Sequence, residues 1–304
     1  MIDRTVEILR RGGVVAFPTE TVYGLGADAT NARAVDRVFQ IKGRPSTNPL
    51  ICHVADAGIA RRYARVWPVA AQQIADAFWP GPVTIVLPKS EAIVPTVTAG
   101  LDTVGLRAPN HPLALELLRA FDGPLAGPSA NKSNHVSPTT AGHVRDELGD
   151  DVDLILDGGP CSIGIESTVL SLAGDVPRIL RPGAITREMI ESVIGLTVEE
   201  TGTVAQTTEP QSSPGQFEKH YAPRTPAYRF EPRERHQIDL TDAAIIEPTL
   251  DPQAYARQFY ARLRLHDAQQ LRAIYIELPP DVPQWHAVRD RILRATRPLA
   301  EKPG

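Results

Sequence analysis

Val14-Val15-Ala16-Phe17-Pro18-Thr19-Glu20-Thr21-Val22-Tyr23-Gly24-Leu25-Gly26 is the stretch on which the fold turns. Val14 to Phe17 form an apolar run that reads as a short buried strand, and Pro18, with no N–H to give a ladder, ends it. Ahead of it, Ile2, Val6 and Leu9 recur at helical spacing until Gly12-Gly13 stops them. Behind it comes a hydroxyl-rich turn. The same alternation continues through the first 200 residues, with strands expected at 50–54, 83–87, 104–107, 154–156, 167–172 and 178–180. Helices are expected between them at 32–41, 70–78, 112–121, 139–148 and 186–194. This pattern predicts an α/β sheet covered by helices.

Composition shifts after Leu196. Residues 201–214 are rich in Thr, Gln, Ser and Pro and offer almost nothing to bury, as a linker does. The reading divides the chain into a first domain (1–200), a linker (201–228) and a small second α/β unit (229–304). In that unit strands are expected at 243–246 and 273–276. Tyr255, Phe259, Leu263 and Leu265 fall on one helix, and Val288, Ile292 and Leu293 on another. Little sequence separates the linker from Tyr255, so the second unit looks short.

The 304 residues are 42% apolar, enough for a core, and carry a net charge of −4 with no Lys/Arg run. That balance argues against a dedicated nucleic-acid binder. Cys52 and Cys161 stand far apart without a CxxC pair, which argues against a disulfide framework or a cysteine zinc site. No apolar run reaches membrane-spanning length, and the first residues lack a signal peptide's basic head, so a cytoplasmic location is expected.

Many of the 28 prolines sit at element edges and make rigid loops, the usual place for sites in α/β proteins. The Thr19–Gly26 turn can offer hydroxyls and backbone N–H groups to a polar ligand, or simply connect strand to helix. It is not a complete GxGxxG, and no GxxxxGK[ST] occurs, so any nucleotide binds without a P-loop. Lys42-Gly43-Arg44-Pro45, followed by Asn48-Pro49 and His53, is a stiff cationic loop. It suits a phosphate, or only the dipole of the preceding helix. Arg107, at a strand end before Ala108-Pro109, needs a buried partner, either a substrate carboxylate or a structural acid.

Gly127-Pro128-Ser129-Ala130-Asn131-Lys132-Ser133, with Ser137-Pro138 beyond, either cradles an anion or caps a helix. Ile165-Glu166-Ser167-Thr168-Val169 and Arg181-Pro182-Gly183 add a further Ser and Arg in rigid loops, though in isolation they read first as a solvated strand end and turn. Neither a GxSxG elbow nor a His/Asp/Glu set with ligand spacing is present. Taken together, the loops suit a polyanionic ligand with a small polar co-substrate.

The ordered set PTETVYGLG, KGRP, NPL, TVGLRAP, PSAN, ESTV and RPG, spanning Pro18 to Gly183, closely resembles threonylcarbamoyl-AMP synthases of the YrdC-like type. Lys42, Arg44, Ser129 and Asn131 match that family's KxR…SxN signature. Ser213-Pro214-Gly215 and Lys219-His220-Tyr221-Ala222-Pro223 are similar to the linker of its long, two-domain form. The resemblance implies a YrdC-like twisted mixed sheet flanked by helices, plus a smaller Rossmann-like C-terminal α/β domain. It implies a nucleotidyltransferase that joins L-threonine, bicarbonate or CO2 and ATP into threonylcarbamoyl-adenylate, with Mg²⁺ held by phosphates and water rather than protein side chains. Downstream proteins would transfer the product to tRNA, without strong direct nucleic-acid binding by this chain.

Carried over by position, Thr21, His53, Arg107, Ser167 and the backbone of Gly127 would contact threonine. Arg44, Asn48, Thr103, Ser129, Asn131, Ser137 and Arg181 would contact ATP, Tyr221 would close over the nucleotide, and Lys42 and Arg44 would act at the phosphates. Gln216-Phe217-Glu218 and Asn134 depart from the family pattern. No residue stands out as general base. The rival readings are an RNA-binding, translation-regulating module and another carbamoyl-adenylate-forming enzyme.

Overall fold

The computed structural model describes residues 1–200 and 221–302, so Ser213-Pro214-Gly215, Gln216-Phe217-Glu218 and Lys219-His220 lie outside the described residues. The first unit's strands are β1 (Val15–Phe17), β2 (Gly24–Asp28), β3 (Ile51–His53), β4 (Val83–Pro88) and β5 (Thr103–Arg107). They continue with β6 (Leu125–Ala126), β7 (Leu154–Ile155), β8 (Thr168–Ser171), β9 (Arg178–Arg181) and β10 (Glu199–Glu200). They form one mixed sheet in the order β10-β9-β8-β4-β5-β3-β6-β2-β1-β7. Helices α1 (Ile2–Arg10), α2 (Ala32–Lys42), α3 (Ala57–Arg61), α4 (Val69–Phe78), α5 (Pro112–Phe121), α6 (Ala141–Leu148) and α7 (Arg187–Ile194) flank it. The predicted strands and helices of this unit are all present; α3, β2, β6 and β10 are additional.

The Gly24–Gly26 stretch, read in the sequence as a turn, is strand β2 paired antiparallel with β1. Its glycines answer to Phe17, because a Cβ at Gly24 or Gly26 would lie 2.9 Å from that ring. An aromatic side chain thus fills the space that two absent side chains leave in the neighbouring strand. Helix starts follow their caps: Asn31 accepts from Arg33 and Ala34 N–H, Thr140 from His143, and Thr186 from Met189.

The second unit holds β11 (Ala227–Phe230), β12 (Ala243–Ile246), α8 (Pro252–Ala268), β13 (Ala273–Glu277), α9 (His286–Ala295) and β14 (Arg297–Pro298). Its sheet is all parallel, in the order β12-β13-β11-β14. Strand β11 opens at Ala227, inside the sheet, where short apolar runs next to Pro223 and Pro226 hide a strand from pattern reading. Val22, Val136 and Ile165 of the first unit share a core with Tyr221, Tyr255, Phe259, Tyr260 and Ile292 of the second. The units are therefore packed on each other through apolar contact. Among the described residues no helix is long and apolar enough to cross a membrane.

Candidate active site

Strand direction gathers the predicted residues at one sheet edge. His53 ends β3 and Arg107 ends β5, and the two are paired across that parallel ladder. Next along, Thr168 pairs with Val83 and Arg181 with Val169, which brings Ser167 and the end of β9 to the same edge. Loops leaving β1 and β6 complete a cavity whose lining includes Thr21, Arg44, His53, Arg107, Gly127, Ser129, Ser167, Arg181 and Tyr221. Thr19, Gly24, Ile51 and Glu166 also line it.

Arg107 is almost fully buried. Its Nη1 donates to Thr21 Oγ1 at 2.9 Å, its Nε to Gly81 O at 3.2 Å, and its Nη2 lies 2.7 Å from Glu20 Oε1. The structural acid expected as one alternative for Arg107 is thus Glu20, and neither Glu20 oxygen completes a hydrogen bond. Thr19 Oγ1 donates to Val22 O and accepts from the Thr21 and Val22 N–H groups. The two hydroxyls lie 2.9 Å apart, and Thr21 Oγ1 accepts from Arg107.

His53 stands edge-on to Phe17, with its Nδ1 buried and unbonded. Burial, then the Arg107 charge, pushes the His53 pKa down to about 3. A neutral ring of that basicity is a hydrogen-bonding ligand and a poor general base at neutral pH. Gly127 is required beside it, because a Cβ there would sit 2.6 Å from His53 Nδ1.

The cationic loop splits into two roles. Arg44 donates to Asn48 O (3.0 Å), Asn48 Oδ1 (2.5 Å) and Pro49 O (2.8 Å), and among the described residues no carboxylate pairs with it. Burial and the Arg181 charge lower its pKa, so the bare cation is costly and an arriving anion relieves it. Lys42, at the end of α2, instead donates to Ser129 O and Asn131 O at 2.5 Å each. It is fully buried, outside the cavity lining, and its amine pKa falls well below the usual range through burial and then Arg44. The geometry makes Lys42 a strut beneath the Ser129–Asn131 loop, whereas Arg44 reaches the cavity. Asn131 uses its amide N–H groups on Lys132 O and His135 O and leaves Oδ1 without a hydrogen bond. Asn134, in place of the glycine of the family pattern, has φ +67°, a left-handed conformation that Asn tolerates better than most residues.

On the remaining side, Arg181 donates to Ser167 O through Nε (3.1 Å) and Nη2 (3.0 Å) and to Ser167 Oγ at 3.2 Å. Ser167 Oγ also lies 2.8 Å from Thr84 Oγ1. Ser137 Oγ donates to Glu166 Oε1 at 2.6 Å. Tyr221 is buried in the wall, with φ +64°. Asn48, Thr103, Asn131 and Ser137 do not line the cavity: Asn48 braces Arg44, and Thr103 only opens β5. Glu20 and Glu166 stand inside the quoted motifs, where pattern reading does not mark them as site residues. The available signal was charge parity, since buried arginines at a sheet edge require carboxylates nearby. Among the described residues no group of three or more His, Cys, Asp or Glu is arranged to hold a metal.

Fold and cavity define a two-unit α/β protein with a cationic, hydroxyl-lined site at the edge of a mixed sheet. A family model described as telomere recombination, for the Sua5–YciO–YrdC domain, matches residues 7–183. A second, described as the C-terminal domain of threonylcarbamoyl-AMP synthase, matches residues 185–296. The chain belongs to the Sua5–YciO–YrdC family, in its long form with that C-terminal domain. The second match begins before α7, but Ile190 and Ile194 pack with Ala71, Ile74 and Ala75 of α4, so α7 belongs physically to the first unit.

A Bacillus subtilis protein named threonylcarbamoyl-AMP synthase is 50% identical over 226 residues, 74% of this chain and 65% of that protein. A Pyrococcus abyssi protein of the same name is 46% identical over 215 residues, 71% of this chain and 63% of its own length. The matched stretch thus spans under two thirds of either relative. The crystal structure of P. abyssi Sua5 complexed with L-threonine superposes with a TM-score of 0.89 at 36% identity, covering 97% of this chain and 95% of that one.

Proposed function

We propose that the chain is a threonylcarbamoyl-AMP synthase, a nucleotidyltransferase that converts L-threonine, bicarbonate or CO2 and ATP into threonylcarbamoyl-adenylate and pyrophosphate. The observation that carries this reading is one cavity with two chemistries: Arg107 beside a neutral His53, and Arg44 with Arg181 across from them. The first pair suits the carboxylate and hydroxyl of a small amino acid; the second suits phosphates. Family membership and the threonine complex of the P. abyssi protein support it.

In the proposed reaction the threonine ammonium gives one proton to solvent, the amine adds to CO2, and a second N–H proton leaves to solvent to give a carbamate. A carbamate oxygen then attacks the α-phosphorus of ATP, the bond to the β-phosphate oxygen breaks, and pyrophosphate leaves. Holding two anions in line and screening their repulsion is the protein's main task. Arg107 takes the threonine carboxylate, with His53 Nδ1 and Ser167 on its polar groups. Arg44 and Arg181 meet the phosphates, and Lys42 holds the Ser129 loop in place. Ser137, buried behind the lining, gives its proton to Glu166 and steadies that carboxylate in the nucleotide wall. Glu20 and Glu166 are spent on Arg107 and Arg291, so Mg²⁺ would enter on the triphosphate's own oxygens. The product is a labile mixed anhydride, which calls for cytoplasmic partners that pass it to tRNA as threonylcarbamoyladenosine.

The test is ATP–pyrophosphate exchange. Exchange that needs both threonine and bicarbonate is expected; exchange that proceeds equally without threonine removes the substrate assignment.

A further inference from the structure

Glu166 lines the cavity, yet most of what holds it comes from the second unit. Its Oε2 accepts from Tyr260 Oη on α8 at 2.9 Å and from Arg291 Nε on α9 at 2.8 Å. Its Oε1 accepts from Ser137 Oγ. Arg291 is completely buried; its Nη1 donates to Asp290 Oδ2 at 2.7 Å, and Asp290 Oδ1 takes Arg294 Nε at 3.0 Å. The Arg291 guanidinium also lies 5.5 Å from the centre of the Tyr221 ring, which in turn packs against Tyr260 at 5.7 Å. Despite the cost of burial, Arg291 and then Arg181 hold the Glu166 carboxyl down to about 2, so it is an anion in the wall of an anion site.

An uncompensated carboxylate there would repel a polyphosphate. Arg291 cancels that charge from behind, and the same contacts orient the Ser137 hydroxyl and the Tyr221 ring. We infer that Arg291 and Glu166 are positioning residues through which the C-terminal unit builds the nucleotide half of the active site, while the amino-acid half stands without it. This rests on the proposed function.

The experiment compares the full-length protein with Glu166→Gln, Tyr260→Phe, Arg291→Met and the Glu166→Gln/Arg291→Met pair. Calorimetric Kd values are measured separately for α,β-methylene-ATP and for L-threonine, alongside thermal unfolding. Expected are losses of about tenfold in nucleotide affinity for Arg291→Met and a few-fold for Tyr260→Phe and Glu166→Gln. Threonine affinity should stay within about twofold, and the double variant should bind no worse than Arg291→Met, as coupled residues do. Unchanged nucleotide affinity, equal losses for both ligands, or additive losses in the pair overturn the inference. If Arg291→Met does not fold, the two milder variants carry the same decision. A wild type that binds threonine and nucleotide beside insensitive variants sinks this inference alone; a wild type that binds neither sinks the proposed function with it.

Discussion

The two walls of the cavity are built differently. Thr21, His53, Arg107 and Gly127 lie within the first unit, each at or just beyond a strand end, and Glu20 of the same unit balances the arginine. Opposite them, Glu166 and Tyr221 are held by Tyr260 and Arg291, which arrive from another sheet's helices. One wall depends on strand register, the other on how two units dock. Its chemistry differs too: the first wall presents a neutral imidazole and a compensated arginine, the second a carboxylate whose neutralising cation is out of reach of the ligand.

The largest expected effect separates the cation that reaches the cavity from the strut. Arg44→Ala should lower turnover about 10²–10³-fold, the scale of removing a charged transition-state contact, with little net change in melting temperature, because relief of a costly buried charge offsets the lost hydrogen bonds to Asn48 and Pro49. Lys42→Met should cost less, about tenfold, through displacement of the Ser129 loop. Steady-state kinetics with thermal unfolding checks both, and a greater loss in Lys42→Met would reverse their roles. Arg107→Ala tests the self-contained wall: Glu20 is left buried and unpaired, so about 3–5 kcal/mol of stability should disappear in denaturant titration. A loss under 1 kcal/mol would show that Glu20 finds another partner.

A narrower probe is Gly127→Ala, whose Cβ would intrude to 2.6 Å from His53 Nδ1. The KM for threonine should rise about tenfold with that for ATP little changed. Should both KM values rise together, the two walls are not independent.

The two walls also differ in pH dependence. His53 has a folded pKa of about 3 against 6.5. The unfolded chain then binds the extra proton, so stability is lost as pH falls from 6.5 toward 3. Glu166, at about 2 against 4.5, contributes stability that is present above 4.5 and lost as pH falls toward 2. Between 4.5 and 6.5 only the first wall titrates among these two. His53→Gln should flatten that window and Glu166→Gln only the one below it, as read by urea midpoints across pH.

Much of the first wall was legible before any tertiary structure. Arg107 ahead of Ala108-Pro109, His53 at an apolar run's end and Ser167 before β8 sit where strand periodicity and prolines mark the edges. Register then brings them together by short-range rules. The lysine of the KxR pair was less legible, because motif spacing does not say which way a helix's last residue turns; the Ser129–Asn131 carbonyls decide it. Strand β2 was obscured by its glycines, whose purpose depends on the Phe17 ring.

By itself, the order of apolar runs, prolines and cationic loops determined an α/β sheet with an anion site at its edge, because strand alternation and proline geometry act over a few residues. Only the tertiary structure decided that Glu20 answers Arg107, that Lys42 faces a loop, and that Glu166 is held by Arg291, 125 positions along the chain. Buried charges take the partner that the packing brings within about 3 Å, and no local rule of sequence carries that distance.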